Sequence, residues 1–134
     1  MSQENVELAW QAPQAWNAGG VDALLRYLDA DIEWLPPRES MEPGIYRGHD
    51  GVRDYLGRLA DIFGDTQQEA LEVIDVDDER VVAVIRSIAH SGNSELDINA
   101  DWAWLITFGA NSKATRVETF TDKTQALQAV GLAE

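Results

Sequence analysis

The sequence contains no cysteine and few basic residues. Of its 134 residues, 10 are lysine or arginine and 24 are aspartate or glutamate, which gives a formal net charge of -14. Without cysteine the chain forms no disulfide and has no thiol nucleophile, a composition that fits a reducing cytoplasm. A surface this acidic repels nucleic-acid phosphates and anionic lipid head groups. We therefore expect neither nucleic acid nor a membrane as a partner.

Long apolar runs are also absent. No run approaches the ~20 residues that span a bilayer, and the first ten residues, MSQENVELAW, carry acids where a secretory signal carries lysines. The two histidines, His49 and His90, have no spacing typical of a metal site, and the sequence has no glycine-rich phosphate loop or nucleophile elbow. We therefore expect a cytoplasmic protein without a metal or cofactor.

What is present is the composition of one folded domain over residues 1–134. Hydrophobic residues make up 45% and charged residues 25%, and five of the residues are tryptophan. Apolar residues at helical spacing predict three helices, over residues 4–17, 21–30 and about 50–63. Pro13 removes a helical hydrogen bond, so we expect a kink in the first helix there.

The second half of the sequence changes to the alternation of strands. A short strand precedes the third helix, and four strands follow it, over residues 31–37, 69–76, 80–90, 96–108 and 113–122. Asp122, with Gln125 three residues later, predicts the N-cap of a short final helix. Helices followed by hairpin-linked strands indicate an α+β fold, in which a curved antiparallel sheet wraps around three helices as a cone.

Three phrases carry a resemblance to a known family: ENVELAWQAPQAWNAGGVDALLRYLDADIEW (4–34), YRGHDGVRDYL (46–56) and RVETFTDKTQALQAVGL (116–132). They resemble the SnoaL-like branch of the nuclear transport factor 2-like superfamily, which also contains the ketosteroid isomerases, scytalone dehydratase and limonene epoxide hydrolase. The resemblance covers about residues 4–132. It implies an apolar cavity between the concave sheet face and the helices, and a homodimer formed through the outer sheet face. It does not imply one reaction, because the fold hosts many chemistries and non-catalytic binders.

Strand alternation, applied to this resemblance, predicts which side chains line the cavity. In RVETFTD, residues Arg116, Glu118 and Phe120 share one face, an unusual mixture that a polar pocket with aromatic walls would explain. We expect the remaining cavity positions to be Trp102, Trp104, Ile106, Val82, Val84, Arg86, Ile88 and His90, with Trp34 from the short strand and Tyr55 from the third helix.

The residues that the resemblance would make catalytic in a ketosteroid isomerase are missing. Its tyrosine, its aspartate base and its protonated aspartate correspond approximately to Ala12, Pro36 and Trp104 here. Close SnoaL-like relatives often carry a tyrosine and an aspartate where Pro13 and Gly20 stand. Steroid isomerisation by that mechanism is therefore not expected.

Charged residues among the cavity positions are the candidates for chemistry. Glu118 in an aromatic pocket would have a raised pKa that suits a general acid or base. Arg86 or Arg116 could stabilise a developing oxyanion, and His90 could transfer protons at the pocket mouth. The alternatives are a structural ion pair of Glu118 with either arginine, and a surface histidine. Asp101 is expected to face outward unless a β-bulge reverses its strand, in which case it would compete with Glu118 as the base.

The leading hypothesis is a cofactor-independent enzyme that transfers a proton on a small, flat, apolar or carbonyl-containing molecule, as an isomerase, cyclase or dehydratase. The ligand would be held by Trp34, Tyr55, Val84, Ile88, Trp102, Trp104 and Phe120. The alternative is a ligand-binding or dimerisation module of the same fold without turnover. Pro13 and the missing acids leave a third possibility, a diverged pocket repurposed for proton abstraction.

Overall fold

The computed structural model describes residues 2–37, 44–64, 66–90 and 97–132. The helices are α1 (Ser2–Leu25), α2 (Gly48–Phe63) and α3 (Lys123–Ala129). The strands are β1 (Leu28–Leu35), β2 (Tyr46–Arg47), β3 (Thr66–Asp75), β4 (Arg80–His90), β5 (Asp97–Phe108) and β6 (Ala114–Phe120). Among the described residues, no helix is long and apolar enough to cross a membrane.

The six strands form one sheet in the order β2-β1-β6-β5-β4-β3. Strands β3 to β6 pair antiparallel with their neighbours in the chain, and β2 pairs antiparallel with β1. The pair β1 and β6 is parallel, so the sheet is mixed and not antiparallel as predicted. A parallel pair requires a long connection between its strands, and here the whole β2-to-β5 segment supplies it. The predicted α+β class is confirmed.

The two faces of the sheet are buried by different helices. On the inner face, α1 and α2 cover a core that includes Ile32, Val81 and Ile85 at 0% exposure. On the outer face, α3 covers a smaller apolar cluster around Val82 and Leu105. Burying one such side chain contributes about 1.5–3 kcal/mol, so both layers stabilise the sheet.

Helix α1 contains the first two predicted helices, which meet at a kink. The only residue inside it with non-helical backbone angles is Gly20, at φ 71 and ψ -154. A left-handed φ suits glycine because it has no Cβ, so the helix breaks there. Pro13 is fully buried within the helix, and a kink at Pro13 stays a prediction. The helix ends at Leu25, and residues 28–30, predicted as helix, begin strand β1.

The predicted start of the final helix is confirmed. Asp122 is the N-cap of α3, and its Oδ1 accepts a hydrogen bond of 2.8 Å from the backbone N–H of Gln125. This bond satisfies one of the free N–H groups of the first turn. Ala126 of α3 is buried against the outer face. The cap therefore fixes where the helix begins to cover the sheet.

Side chains of α1 also cover the edge of the sheet. Asn17 donates from Nδ2 to the carbonyl of Gln68 at 2.7 Å and accepts at Oδ1 from the N–H of the same residue at 2.8 Å. Trp16 donates from Nε1 to the carbonyl of Thr66 at 3.0 Å. Unpaired edge groups invite pairing with another chain. These three bonds satisfy edge groups at the start of β3 and hold α1 in place there.

We predict that Asn17→Ala lowers the free energy of unfolding by about 1–2 kcal/mol, because it removes two hydrogen bonds to edge backbone groups. Urea denaturation followed by circular dichroism measures this change. The control is Gln14→Ala on the same helix, where an exposed carboxamide without these bonds is removed and the change should stay within about 0.5 kcal/mol. Equal effects of the two substitutions would contradict the role of Asn17.

Candidate functional site

Strand β6 presents a different face to the helices from the one predicted. Val117 lies opposite Ile106 of β5 and is buried in the inner core, whereas Glu118 lies opposite Leu105 of the outer cluster. Arg116 and Glu118 are therefore on the outer face, and their predicted orientation is wrong. The cause is a register shift opposite Thr107 and Phe108, after which odd-numbered residues face inward.

Phe120 lies on the same outer face, where it packs in the cluster that α3 covers. The mixture of charge and aromatic side chain in RVETFTD thus has a structural cause. One end of the strand is exposed to solvent and its other end lies under a helix.

Strand β4 is also turned the other way. Its inner residues are Val81, Ala83 and Ile85, so Val82 and Val84 face outward. Ile88 and Arg86 follow the same alternation to the outer side, and the inward orientation predicted for these four residues is wrong.

Arg86 binds Asp101 through two hydrogen bonds, from Nε to Oδ1 at 2.8 Å and from an NH2 group to Oδ2 at 3.2 Å. Asp101 therefore faces outward as predicted. His90 ends β4, and its side chain lies outside the described residues.

Charged side chains of three strands form a network on the outer face. Glu33 lies 3.4 Å from both Arg47 and Arg116, and Arg116 lies 3.6 Å from Glu118. These side chains are between 33% and 69% exposed, and ion pairs in such positions contribute about 0–1 kcal/mol. The geometry is that of the structural ion pair considered above. Catalysis by Glu118, Arg116, Arg86 and His90 stays a prediction, as does a homodimer through this face.

Four of the aromatic residues predicted on the inner face lie there, whereas the inward orientation predicted for Phe120 is wrong. The rings of Trp34 and Trp104 meet edge to face, with centroids 5.5 Å apart and an interplanar angle of 72°. Tyr55 of α2 belongs to the same buried core and stacks on Tyr46 at 4.6 Å. Trp102 lies opposite Ile85 and is half-buried. Their role in binding a ligand stays a prediction.

Trp34 and Trp104 form one wall of a small apolar space, here called the hollow. Its other walls come from α1, from the turn after it and from β5 and β6, and include Leu8, Ala12, Leu24 and Ile106. Apart from the two indole N–H groups, the one polar group of these side chains is the hydroxyl of Tyr27, which is 3.5 Å from Oε1 of the exposed Gln11. The volume of the hollow is about 20 Å³, enough for one water molecule.

The α1 side of the hollow was not predicted. Ala9 and Ala12 are three residues apart on α1, where small side chains leave room beside the tryptophans. A stripe of alanines next to a predicted cavity was the available signal.

Hydrogen bonds alter the acidity of one residue on the outer face. The Arg86 guanidinium, by donating to the carboxylate of Asp101, lowers the pKa of that carboxyl below its ordinary value of 3.8. A lowered pKa in the folded state adds stability above pH 3.8, and this contribution is lost as the pH falls through the folded pKa. The pair therefore favours the folded state at neutral pH and not in acid.

We predict that Arg86→Gln raises the pKa of Asp101 toward 3.8, because the charged donors are removed. Carboxyl chemical shifts in an NMR pH titration measure it. Arg53→Gln on α2, whose partner is Asp22, is the control and should leave Asp101 unchanged. An unchanged pKa in Arg86→Gln would contradict the assignment.

Comparison with solved structures places this fold among known proteins. TerC, co-crystallised with polyporic acid, is 21% identical over 96% of this chain and 98% of its own, with a TM-score of 0.76. A proposed polyketide cyclase from Xanthomonas campestris pv. campestris is 18% identical over 96% of this chain and 98% of its own, with a TM-score of 0.68. SalBIII is an epoxide hydrolase/cyclase-like enzyme with a role in pyran ring formation in the polyether salinomycin. It is 14% identical over 91% of this chain and 93% of its own, with a TM-score of 0.73.

Among curated proteins, none matches the chain significantly. The family model of the SnoaL-like domain matches residues 9–117, most of the chain. This segment contains α2, most of α1 and all the residues that line the hollow except Leu8. The chain therefore belongs to the SnoaL-like family of the nuclear transport factor 2-like superfamily.

Proposed function

We propose that this SnoaL-like protein binds a small, flat, apolar or carbonyl-containing molecule in the hollow. The observation that carries the proposal is the edge-to-face pair of Trp34 and Trp104 within an apolar wall. Aromatic walls favour flat ligands because stacked and edge contacts add to the burial of apolar area. TerC, a protein with a similar fold, was crystallised with polyporic acid.

The volume of the hollow requires a movement on binding. Small-molecule pockets measure about 300–1,000 Å³, and the hollow has about 20 Å³. The wall best placed to move is the part of α1 before Gly20, because this residue breaks the helix. Near the start of that part, buried Asn5 donates to the carbonyl of Asp78 at 3.0 Å. We infer that a ligand displaces the stretch of α1 between Asn5 and Trp16, which contributes Ala12 to the hollow, away from the tryptophans.

A second candidate is an enzyme in which the same molecule undergoes proton transfer, as in an isomerase, cyclase or dehydratase. It is favoured by the names of two structural neighbours, the proposed polyketide cyclase and the cyclase-like SalBIII. Glu118 and Arg116 are on the opposite side of the sheet from the hollow. Proton transfer inside the hollow would therefore use another acid or base.

We predict that 2-acetylnaphthalene, a flat ketone, quenches tryptophan fluorescence in a saturable way. Ala12→Leu should weaken its binding at least about tenfold, because the larger side chain fills a space that holds one water. Ala18→Leu, at an exposed position of the same helix, is the control and should leave the affinity unchanged.

Circular dichroism establishes that both variants are folded. Trp104→Phe gives a second test. It reduces the aromatic surface of the wall without adding bulk, so it should also weaken binding of the ketone. Absence of saturable binding, or equal affinity of Ala12→Leu and the parent protein, would contradict the proposal.

For the second candidate, we predict that Glu118→Gln leaves proton exchange unchanged. The measurement is deuterium incorporation from D2O into a panel of enolisable ketones, followed by NMR. If the parent protein catalyses no exchange, the enzymatic candidate is rejected. If Glu118→Gln slows catalysed exchange by about 100-fold, the size expected for loss of a general acid or base, the reaction takes place on the outer face.

A further inference from the structure

A second depression, here called the groove, lies on the other side of α1 from the hollow. It is bounded by Trp10, Gln14 and Asn17 of α1 and by Gln67 and Glu69 of β3. Its volume is about 400 Å³, within the range of small-molecule pockets. The α1 residues that line the hollow are Leu8, Ala9, Ala12 and Leu24, none of which lines the groove, so the helix separates two distinct spaces.

One wall of the groove is fixed before any ligand binds. Both polar atoms of the Asn17 side chain are bonded to the backbone of Gln68, as described above. The same bonds occupy the edge of β3 at this point, so an extended peptide cannot add there as a further strand. The groove is therefore better suited to a small molecule than to a peptide strand.

The exposed side chains of the groove combine one aromatic surface with several neutral polar groups. Trp10 is 38% exposed, an unusual state for so large an apolar side chain. The carboxamides of Gln14 and Gln67 are exposed and make no side-chain hydrogen bond within the described part of the chain. Each carboxamide both donates and accepts hydrogen bonds. Such a set matches a ligand with an apolar face and several hydroxyl groups.

Charge narrows the class of ligand further. Glu69 contributes a carboxylate to the groove, and Arg86, which lies opposite it on β4, is held by Asp101 through two bonds. A carboxylate accepts hydrogen bonds from hydroxyl groups and repels anions. The net charge of -14 acts in the same direction.

We propose that the groove is a binding site for an uncharged polyhydroxylated ring, such as a pyranose sugar. The indole of Trp10 covers the apolar face of the ring, Gln14 and Gln67 exchange hydrogen bonds with its hydroxyls, and Glu69 accepts from one of them. This site is additional to the hollow and does not depend on the function proposed for the hollow.

The test compares two matched probes, methyl β-D-glucopyranoside and the corresponding methyl glucuronide, in ¹H–¹⁵N NMR titrations of the whole chain. We expect the glucoside to shift the Trp10 indole N–H and the side-chain amides of Gln14 and Gln67. We expect the glucuronide, which differs by one carboxylate, to bind at least about fivefold more weakly, since Glu69 repels it. Glu69→Gln should narrow this difference.

The variant that tests the aromatic contact is Trp10→Leu, which keeps an apolar side chain and removes the ring. It should weaken glucoside binding about tenfold. Leu132→Ala, an exposed apolar position after α3, is the control and should have no effect. With glucoside at saturation, 2-acetylnaphthalene should still bind, because the two ligands occupy spaces lined by different residues, which separates this site from the hollow.

Three results would overturn the proposal. They are the absence of shifts at Trp10 with the glucoside, equal affinity for the glucuronide, and tighter binding of adenosine than of the glucoside. The last result would mean that the groove accepts a flat heterocycle in place of a sugar.

Discussion

The packing of α1 between the inner sheet face and the edge of β3 determines both candidate sites. One side of the helix contributes Leu8, Ala9 and Ala12 to the hollow, and another side contributes Trp10 and Gln14 to the groove. Apolar burial holds the helix against the sheet, and the bonds of Trp16 and Asn17 hold it along the edge strand. Burial is not directional, whereas these hydrogen bonds fix a position. The shapes of both spaces follow from that position.

Charge and apolar surface are separated across the sheet. The inner face carries the tryptophans and aliphatic residues, and the outer face carries the pairs of Glu33 with Arg116 and of Arg86 with Asp101. An ion pair on the inner face would lose its hydration, a cost that only ideal geometry offsets. On the outer face water solvates the same charges at little cost. The inner face is thereby left as an apolar surface that suits a flat ligand.

The sequence predicted the elements better than the faces of the strands. Helical spacing, alternation and the Asp122 cap predicted nearly every element, since these signals are local. The orientation of β4 was not predictable from VVAVI, because α3 covers the outer face and residues on both sides of the strand are buried. In β6, a register shift between Ala114 and Arg116 reversed which residues face inward, and no residue type in the strand indicates this shift. The hollow was predicted for Trp34, Trp104 and Ile106 and not for the alanines of α1.

The parallel pairing of β1 with β6 has a consequence for how the molecule forms. Glu33 and Arg116 are neighbours in the centre of the sheet, although 83 positions separate them in the chain. Hairpins close quickly because their partners are near in sequence, whereas distant partners meet only after a large loss of chain entropy. During synthesis, β1 emerges early and has no neighbour except β2 until β6 leaves the ribosome. Completion of the sheet is thus among the last events of biogenesis, and the hollow has no complete wall until then.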